Sequence, residues 1–142
     1  MTATVSPTTP VAVATESEAV PSLWRAGLAA GAVAAVATTT VAAFALAFDV
    51  PLEIAGEQIP LVGFAQLTIV CSILGVLIAK STRRWASRPQ AAFLRITVAL
   101  TALSLVPDLT ADATSATKLT LVLTHLVAAA IVIPRLAHRL AR

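Results

Sequence analysis

Four long apolar stretches constrain the fold of this chain more than any other feature. The first two cover residues 26–48 and 61–79 and contain no Asp, Glu, Lys or Arg. As helices rising about 1.5 Å per residue, both are long enough to cross a hydrocarbon core of about 30 Å. The third, 91–106, contains only Arg95, and the fourth, 119–133, is followed by Pro134. Since their flanks can extend both as helix, the sequence predicts four transmembrane helices.

The composition supports a membrane protein. Charged residues make up only 12% of the 142 residues, whereas soluble domains usually carry about 25%. We therefore predict an all-α fold: a four-transmembrane-helix bundle over residues 23–142, with spans of about 24–48, 61–80, 89–106 and 116–134. Residues 1–22 are rich in Thr, Ala and Pro and lack hydrophobic periodicity. They are predicted to form a disordered N-terminal tail.

The distribution of charges predicts the orientation. Acidic residues occur in the loops 49–60 and 107–118, whereas most basic residues flank the opposite ends of the spans. Because Lys and Arg are retained on the cytoplasmic side, both termini are expected in the cytoplasm and both acidic loops outside. This pattern indicates a lipid bilayer as partner and no nucleic acid, despite the net charge of +3. The predicted cytoplasmic-side charges are Arg25, Lys80, Arg83, Arg84, Arg88, Arg95, Arg135, Arg139 and Arg142.

The first outer loop contains a hairpin signal. The stretch LEIAGEQI (52–59) has two short alternating arms around Ala55-Gly56, which is typical of a two-residue turn. An isolated hairpin is only marginally stable in water, so it needs contacts with the helix ends. Leu52, Ile54 and Ile59 are the candidate contacts.

The end of the third apolar stretch, SLVPDLT (104–110), places a proline and an aspartate beside each other. Because proline lacks a backbone donor and restricts the preceding residue, Pro107 is predicted to end the span. Asp108 is then expected at the outer surface. It either forms a turn with the following backbone or joins a candidate polar cluster consisting of Gln66, Ser104, Asp108 and His125.

Small and hydroxyl residues recur at helical spacing. Thr97, Thr101, Ser104 and Asp108 fall on one face of the third helix, and Thr117, Thr120 and Thr124 fall on one face of the fourth. Gly27 and Gly31 form a GxxxG pattern in the first. Such faces are expected to contact other helices, through close approach and interhelical hydrogen bonds.

Two ionisable side chains within the apolar stretches have alternative interpretations. Arg95 either extends its guanidinium to the lipid headgroups or contacts a substrate or partner. His125 either makes a structural hydrogen bond, handles a proton or substrate, or ligates haem. The only other histidine, His138, lies about 20 Å further along the same helix, too far to share one iron. The single cysteine, Cys71, is expected to be a packing residue, and no intrachain disulfide can form.

The segments VGFAQLT (62–68), LSLVPDLT (103–110) and LTHLVAAAIVIP (123–134), together with the four-span layout, carry a family resemblance. Over roughly residues 23–142 the chain resembles a domain-of-unknown-function family of small actinobacterial integral membrane proteins. The resemblance implies a four-helix protein of a bacterial plasma membrane. It implies no activity and supplies no catalytic residue.

The motifs do not indicate an enzyme. No HExxH, GxSxG, P-loop or cysteine pair is present, and the apolar stretches contain no helically spaced carboxylate pair. We therefore predict no catalytic residue, no metal site and no cofactor. The expected function is that of a non-enzymatic scaffold, sensor or accessory subunit, partnered by another membrane protein or by further copies of itself. The alternative is a small oligomeric transporter or proton-coupled channel that uses the candidate polar cluster.

Overall fold

A computed structural model describes residues 23–141. The predicted tail 1–22 and Arg142 lie outside the described residues. Four α-helices cover Leu23–Ala47 (α1), Leu61–Trp85 (α2), Pro89–Thr110 (α3) and Ser115–Leu140 (α4). Each is long and apolar enough to cross a membrane. The predictions of an all-α four-helix fold and of a short hairpin in the first interhelical loop are both confirmed.

The four helices run alternately up and down, as two separate core clusters show. The first cluster joins the start of α1 and α3 to the end of α2 and α4, and the second joins the opposite ends of α1, α2 and α4. Helix α1 packs on α2 and α4, whereas α3 packs against the other side of the same pair. The first cluster contains Leu23, Ala30, Ala34, Val76, Ala79, Phe93, Val132, Leu136 and Ala137; the second contains Ala42, Leu52, Phe64 and Leu121.

The predicted GxxxG contact forms between α1 and α2. A Cβ placed on Gly27 would overlap Cγ2 of Val76, and one placed on Gly31 would lie 2.8 Å from Cβ of Ser72. The two backbones therefore approach more closely than any side chain at these positions would permit. Two turns further along α1, the hydroxyls of Thr38 and Thr68 lie 3.0 Å apart and join the same two helices.

The hairpin pairs Glu53–Ile54 (β1) with Glu57–Gln58 (β2) in antiparallel register. Ala55 and Gly56 both adopt positive φ, at 53° and 84°, as a two-residue turn between right-twisted strands requires. Leu52 is 1% exposed and anchors the hairpin in the second cluster, and Ile59 packs beside it. Ile54 is exposed, so only two of the three predicted contacts form.

The outer surface of the bundle is apolar. Large side chains such as Val36, Phe44, Leu67 and Leu103 are more than half exposed. A soluble monomer rarely exposes so much contiguous apolar area. In a membrane protein the same surface faces lipid tails, which agrees with the length and hydropathy of the four helices.

The prediction that Pro107 ends the third span is wrong. Helix α3 continues to Thr110, with Pro107 inside it. Proline removes the hydrogen bond that its own N–H would donate, and its ring crowds the Leu103 carbonyl. The helix nevertheless continues, since the Ala111 N–H donates to the Pro107 carbonyl at 2.9 Å. The Thr110 hydroxyl donates to the Val106 carbonyl at the same distance. Asp108 is consequently a helical residue and not a turn or loop residue.

Candidate functional site

Asp108 and His125 form a close pair between α3 and α4. The carboxylate atom Oδ2 of Asp108 lies 2.7 Å from Nδ1 of His125. Asp108 is only 8% exposed, and the side chain of His125 is 26% exposed. Two ionisable side chains that meet inside an apolar bundle require mutual compensation, because an isolated charge there is costly.

Two oxygen atoms lie within hydrogen-bond distance of Nδ1 in the imidazole ring. Nδ1 of His125 also lies 3.2 Å from the carbonyl oxygen of Leu121, one turn earlier in α4. Despite the short distance, Oδ2 of Asp108 has no aligned hydrogen-bond donor among the described residues, so it lies off the N–H direction. A small rotation of the ring about the soft χ2 torsion would redirect the N–H from the carbonyl to the carboxylate.

These two neighbours determine the tautomer of a neutral His125. The Leu121 carbonyl can only accept a hydrogen bond, as can an ionised Asp108. Nδ1 therefore carries the proton in the neutral ring, and Nε2 has a free lone pair. This tautomer is assigned from the hydrogen-bond surroundings.

The link between α3 and α4 brings the pair into register. Asp108 is two residues before the end of α3, about 3 Å along its axis, whereas His125 is ten residues after the start of α4, about 15 Å along. The two residues therefore start at different heights along the bundle axis. The Asp108 and His125 side chains bridge part of this difference, and the link 111–114 can bridge the rest, since each extended residue spans about 3.3–3.6 Å. The link is itself held by the hairpin, because the Ala55 N–H donates to the Asp112 carbonyl at 2.8 Å.

His125 lies at the edge of a cleft between α2, α3 and α4. The cleft has a volume of about 270 Å³ and a mainly apolar wall. Cys71 and Gly75 contribute from α2, Phe93 from α3, and Ala128 and Ala129 from α4. The small residues on α2 and α4 leave this space open beside the aromatic ring of α3.

Every hydroxyl group in the cleft wall donates its proton to an acceptor within the protein. The Thr38 hydroxyl donates to the Ala35 carbonyl, so Thr68 must supply the hydrogen of the Thr38–Thr68 bond. The remaining four donate to carbonyls of their own helices: Ser72 to Thr68, Thr97 to Phe93, Thr101 to Thr97 and Ser104 to Thr101. The three hydroxyls of the α3 stripe therefore do not donate to another helix as predicted, because these side chains are short enough to reach the preceding turn. Among the described residues, only Asp108 of that stripe contacts a polar group of another helix.

The predicted inward faces are otherwise confirmed. Thr97 and Asp108 are buried on α3, with Thr101 and Ser104 half-buried between them. On α4, the predicted stripe of Thr117, Thr120 and Thr124 is buried.

Of the candidate polar cluster, the structure brings together three members. Asp108 contacts His125, and Ser104, one turn before Asp108, lines the same cleft as His125. Gln66 is exposed and does not line the cleft, so its inclusion in the cluster is wrong. Gln66 was included because it lies at a similar position along its span. It faces outward from α2, between the buried residues Phe64 and Thr68, so it cannot reach the other three.

The charged residues lie at opposite ends of the bundle. The predicted cytoplasmic-side charges that fall within 23–141 all lie towards the end of the bundle where residues 86–88 link α2 to α3. The described acidic residues lie at the hairpin end. Arg95 is exposed near the start of α3. The Lys80 ammonium lies 5.4 Å from the ring centre of Trp24, a cation–π contact between α2 and α1.

Sequence reasoning missed the cleft itself. Cys71 was expected to be a packing residue, but it is exposed and lines the cleft. The run of three alanines at 128–130 was the available signal, because small side chains on a helix leave space beside its neighbour. Within residues 23–141, no three His, Cys, Asp or Glu side chains come together as they would around a metal ion.

The comparisons with known proteins identify a family and no activity. A family described as "Family of unknown function (DUF6069)" matches residues 18–142. No curated protein and no solved structure matches the chain. The family match extends through all four helices, the hairpin and the Asp108–His125 pair. The chain therefore belongs to this family of unknown function.

Proposed function

We propose that this chain is a non-enzymatic sensor or accessory subunit of a bacterial plasma membrane that binds a small lipophilic ligand in the cleft between α2, α3 and α4. One observation carries this proposal: the Asp108–His125 pair, at 2.7 Å, stands beside an apolar cleft of about 270 Å³. Ligand sites are typically apolar cavities with a few placed polar groups. The proposal keeps the prediction that the protein performs no catalysis.

The orientation is part of the proposal. The basic ends of the helices are placed in the cytoplasm and the hairpin end outside, following the positive-inside rule. Asp108 and His125 then lie in the outer half of the bilayer. Reporter fusions at residue 142 and within 86–88 are expected to be cytoplasmic, and a reporter inserted at Ala55-Gly56 is expected to be external. A reporter at residue 142 that is active only outside the cytoplasm would refute this topology.

Cleft occupancy is tested by photocrosslinking in the full-length protein, reconstituted in lipid nanodiscs. The probe is an aliphatic alcohol of about ten heavy atoms that carries a diazirine, a size matched to about nine water volumes of roughly 30 Å³. Crosslinks are expected on the cleft-lining parts of α2, α3 and α4. Peptide mapping by mass spectrometry locates them.

Two variants of neighbouring alanines supply the matched control. Ala129 lines the cleft and Ala130 is exposed on the outer surface of α4. Ala129→Leu fills part of the cleft and is expected to reduce crosslinking severalfold, whereas Ala130→Leu adds the same atoms outside and is expected to leave it unchanged. Equal crosslinking in both variants would show that the probe reacts from bulk lipid, and the proposed function would be wrong.

A second candidate function is a small oligomeric transporter or proton-coupled channel. The observation that favours it is the pairing of two titratable groups, since an Asp–His pair inside a membrane is a typical element of proton relays. This candidate predicts that the purified protein forms an oligomer and moves protons across liposomes. It also predicts that Asp108→Asn abolishes this flux. A protein that conducts no protons at any imposed gradient supports the sensor or accessory subunit instead.

A further inference from the structure

The polar groups around the cleft differ in one respect from those of most ligand sites: they have acceptors to offer but almost no donors. The hydroxyls of Thr68, Ser72, Thr97, Thr101 and Ser104 all donate within the protein. Their oxygens keep acceptor capacity. The Cys71 thiol is only a weak donor. A carbonyl or ether oxygen entering this cleft would therefore find no strong partner.

His125 supplies the strongest acceptor at the cleft. Nδ1 is hydrogen-bonded to the Leu121 carbonyl and lies 2.7 Å from the Asp108 carboxylate. Since both are acceptors, the proton of the neutral ring resides on Nδ1, and Nε2 has its lone pair free. No hydrogen bond to Nε2 is formed by any residue from 23 to 141.

We infer that the ligand of this cleft is a neutral amphiphile with a hydroxyl group, an aliphatic alcohol or a phenol, which donates its hydrogen bond to Nε2 of His125. The inference rests on the proposed function, because it assigns the polar group of the ligand that the cleft binds. Asp108 does not line the cleft. It is a positioning residue, which orients the ring and fixes the tautomer. A cationic ligand is disfavoured, because its charge would enter an apolar cleft without reaching the buried carboxylate directly.

Competition between isomers tests the hydroxyl assignment. Nonanol and methyl octyl ether have the same atoms and similar size, but only nonanol can donate a hydrogen bond. Each is used to displace the photoreactive alcohol from the full-length protein in nanodiscs, at matched concentrations in the lipid phase. Nonanol is expected to compete about fivefold more strongly, the factor for one hydrogen bond of about 1 kcal/mol. Nonylamine is expected to compete less well than nonanol.

His125→Phe provides the matched variant, since it keeps a ring but removes the acceptor. Nonanol is expected to lose its advantage in this variant, while methyl octyl ether competes as it does in the original protein. The ether result shows that the cleft of the variant is intact. A fivefold preference that persists in His125→Phe would overturn the assignment to Nε2.

The outcomes separate the two proposals. If nonanol and the ether compete equally, and Ala129→Leu still reduces crosslinking, the cleft binds ligands but the hydroxyl assignment is wrong. If nonylamine competes best, the assignment to a neutral hydroxyl is also wrong. If Ala129→Leu has no effect, the proposed function itself is wrong.

The tautomer is tested without any ligand. Selective ¹⁵N labelling of histidine gives two residues, and His138→Gln identifies the signals of His125. The ¹⁵N shifts of neutral His125 are expected to report a protonated Nδ1 and an unprotonated Nε2. The opposite tautomer would overturn the inference, because Nε2 would then be a donor.

Discussion

The approach of α1 to α2 gives the most quantitative prediction. Gly27→Ala adds one methyl group at a point where it would overlap Cγ2 of Val76 and lie 3.4 Å from Cδ2 of Leu136. Val76 is fully buried, so it cannot move aside into lipid. Overpacking of this kind costs about 1–3 kcal/mol. Alanine also gains up to about 1 kcal/mol of intrinsic helix propensity over glycine, which would hide part of this cost.

Gly75→Ala is the control that removes the propensity term. Gly75 lies in the interior of α2, and a Cβ there would meet its nearest neighbour, Cδ1 of Leu136, at an ordinary 3.5 Å. Both substitutions gain the same propensity, so the difference between their free energies of unfolding isolates the overlap. We expect Gly27→Ala to be less stable than Gly75→Ala by about 1–3 kcal/mol.

Unfolding by sodium dodecyl sulfate in mixed micelles, followed by circular dichroism and by the loss of α1–α2 proximity in a labelled pair, measures this difference. A second substitution, Val76→Ala, removes the overlapping methyl group. The cost of Gly27→Ala is expected to fall in that background, since residues in contact are coupled by about 0.5–3 kcal/mol. Equal stability of the Gly27→Ala and Gly75→Ala variants would refute the close approach of α1 and α2.

Three further predictions concern the Thr38–Thr68 hydrogen bond, the hairpin and the end of α3. A double-mutant cycle of Thr38→Val and Thr68→Val is expected to give a coupling energy of about 0.6 kcal/mol, typical of interhelical hydrogen bonds in membranes, and zero coupling would mean that no bond forms. Leu52→Ala is expected to lower the free energy of unfolding by about 2–5 kcal/mol and to accelerate proteolysis of the hairpin, because it leaves a cavity at a fully buried site. Unchanged proteolysis would contradict the anchoring role of Leu52. Pro107→Ala is expected to stabilise α3 by roughly 1 kcal/mol, since it restores a donor to the Leu103 carbonyl, and a loss of stability would argue against a continuous helix.

The features that the sequence predicted correctly are those set by local pattern. The four helices follow from long apolar stretches, of which only the third contains a charged residue, Arg95. The turn at Ala55-Gly56 follows from two adjacent positions that tolerate positive φ, although Ala55 does so at some cost. The GxxxG pattern at Gly27 and Gly31 correctly indicated a close helix contact, but it did not indicate that α2 is the partner.

The predictions that failed, or could not be made, concern where α3 ends and how residues of neighbouring helices line up. Pro107 has a strong local tendency to end a helix, but α3 continues through the hydrogen bonds that follow it and through the contact of Asp108 with His125. The helical spacing of Thr97, Thr101, Ser104 and Asp108 already contained the correct answer, because Asp108 belongs to this face only if α3 continues past the proline. The distance between Asp108 and His125 could not be predicted, because it depends on how residues 111–114 run between the helices.

The Asp108–His125 pair is important for holding α3 in place, because α3 is weakly packed against the other helices. Within α3 only Phe93, Thr97 and Asp108 are buried, fewer than in any of the other three helices. Phe93 anchors its start in the first core cluster, whereas Asp108 is its one buried side chain near the other end. Regions with few buried apolar contacts open at the lowest free energy. The half of α3 at the hairpin end is therefore the part of the bundle that can move away from α4 with the smallest loss of packing. The carboxylate–imidazole contact is the polar interaction that such a movement would break. Because the cleft lies along this same face of α3, we expect that filling the cleft changes the separation of Asp108 from His125.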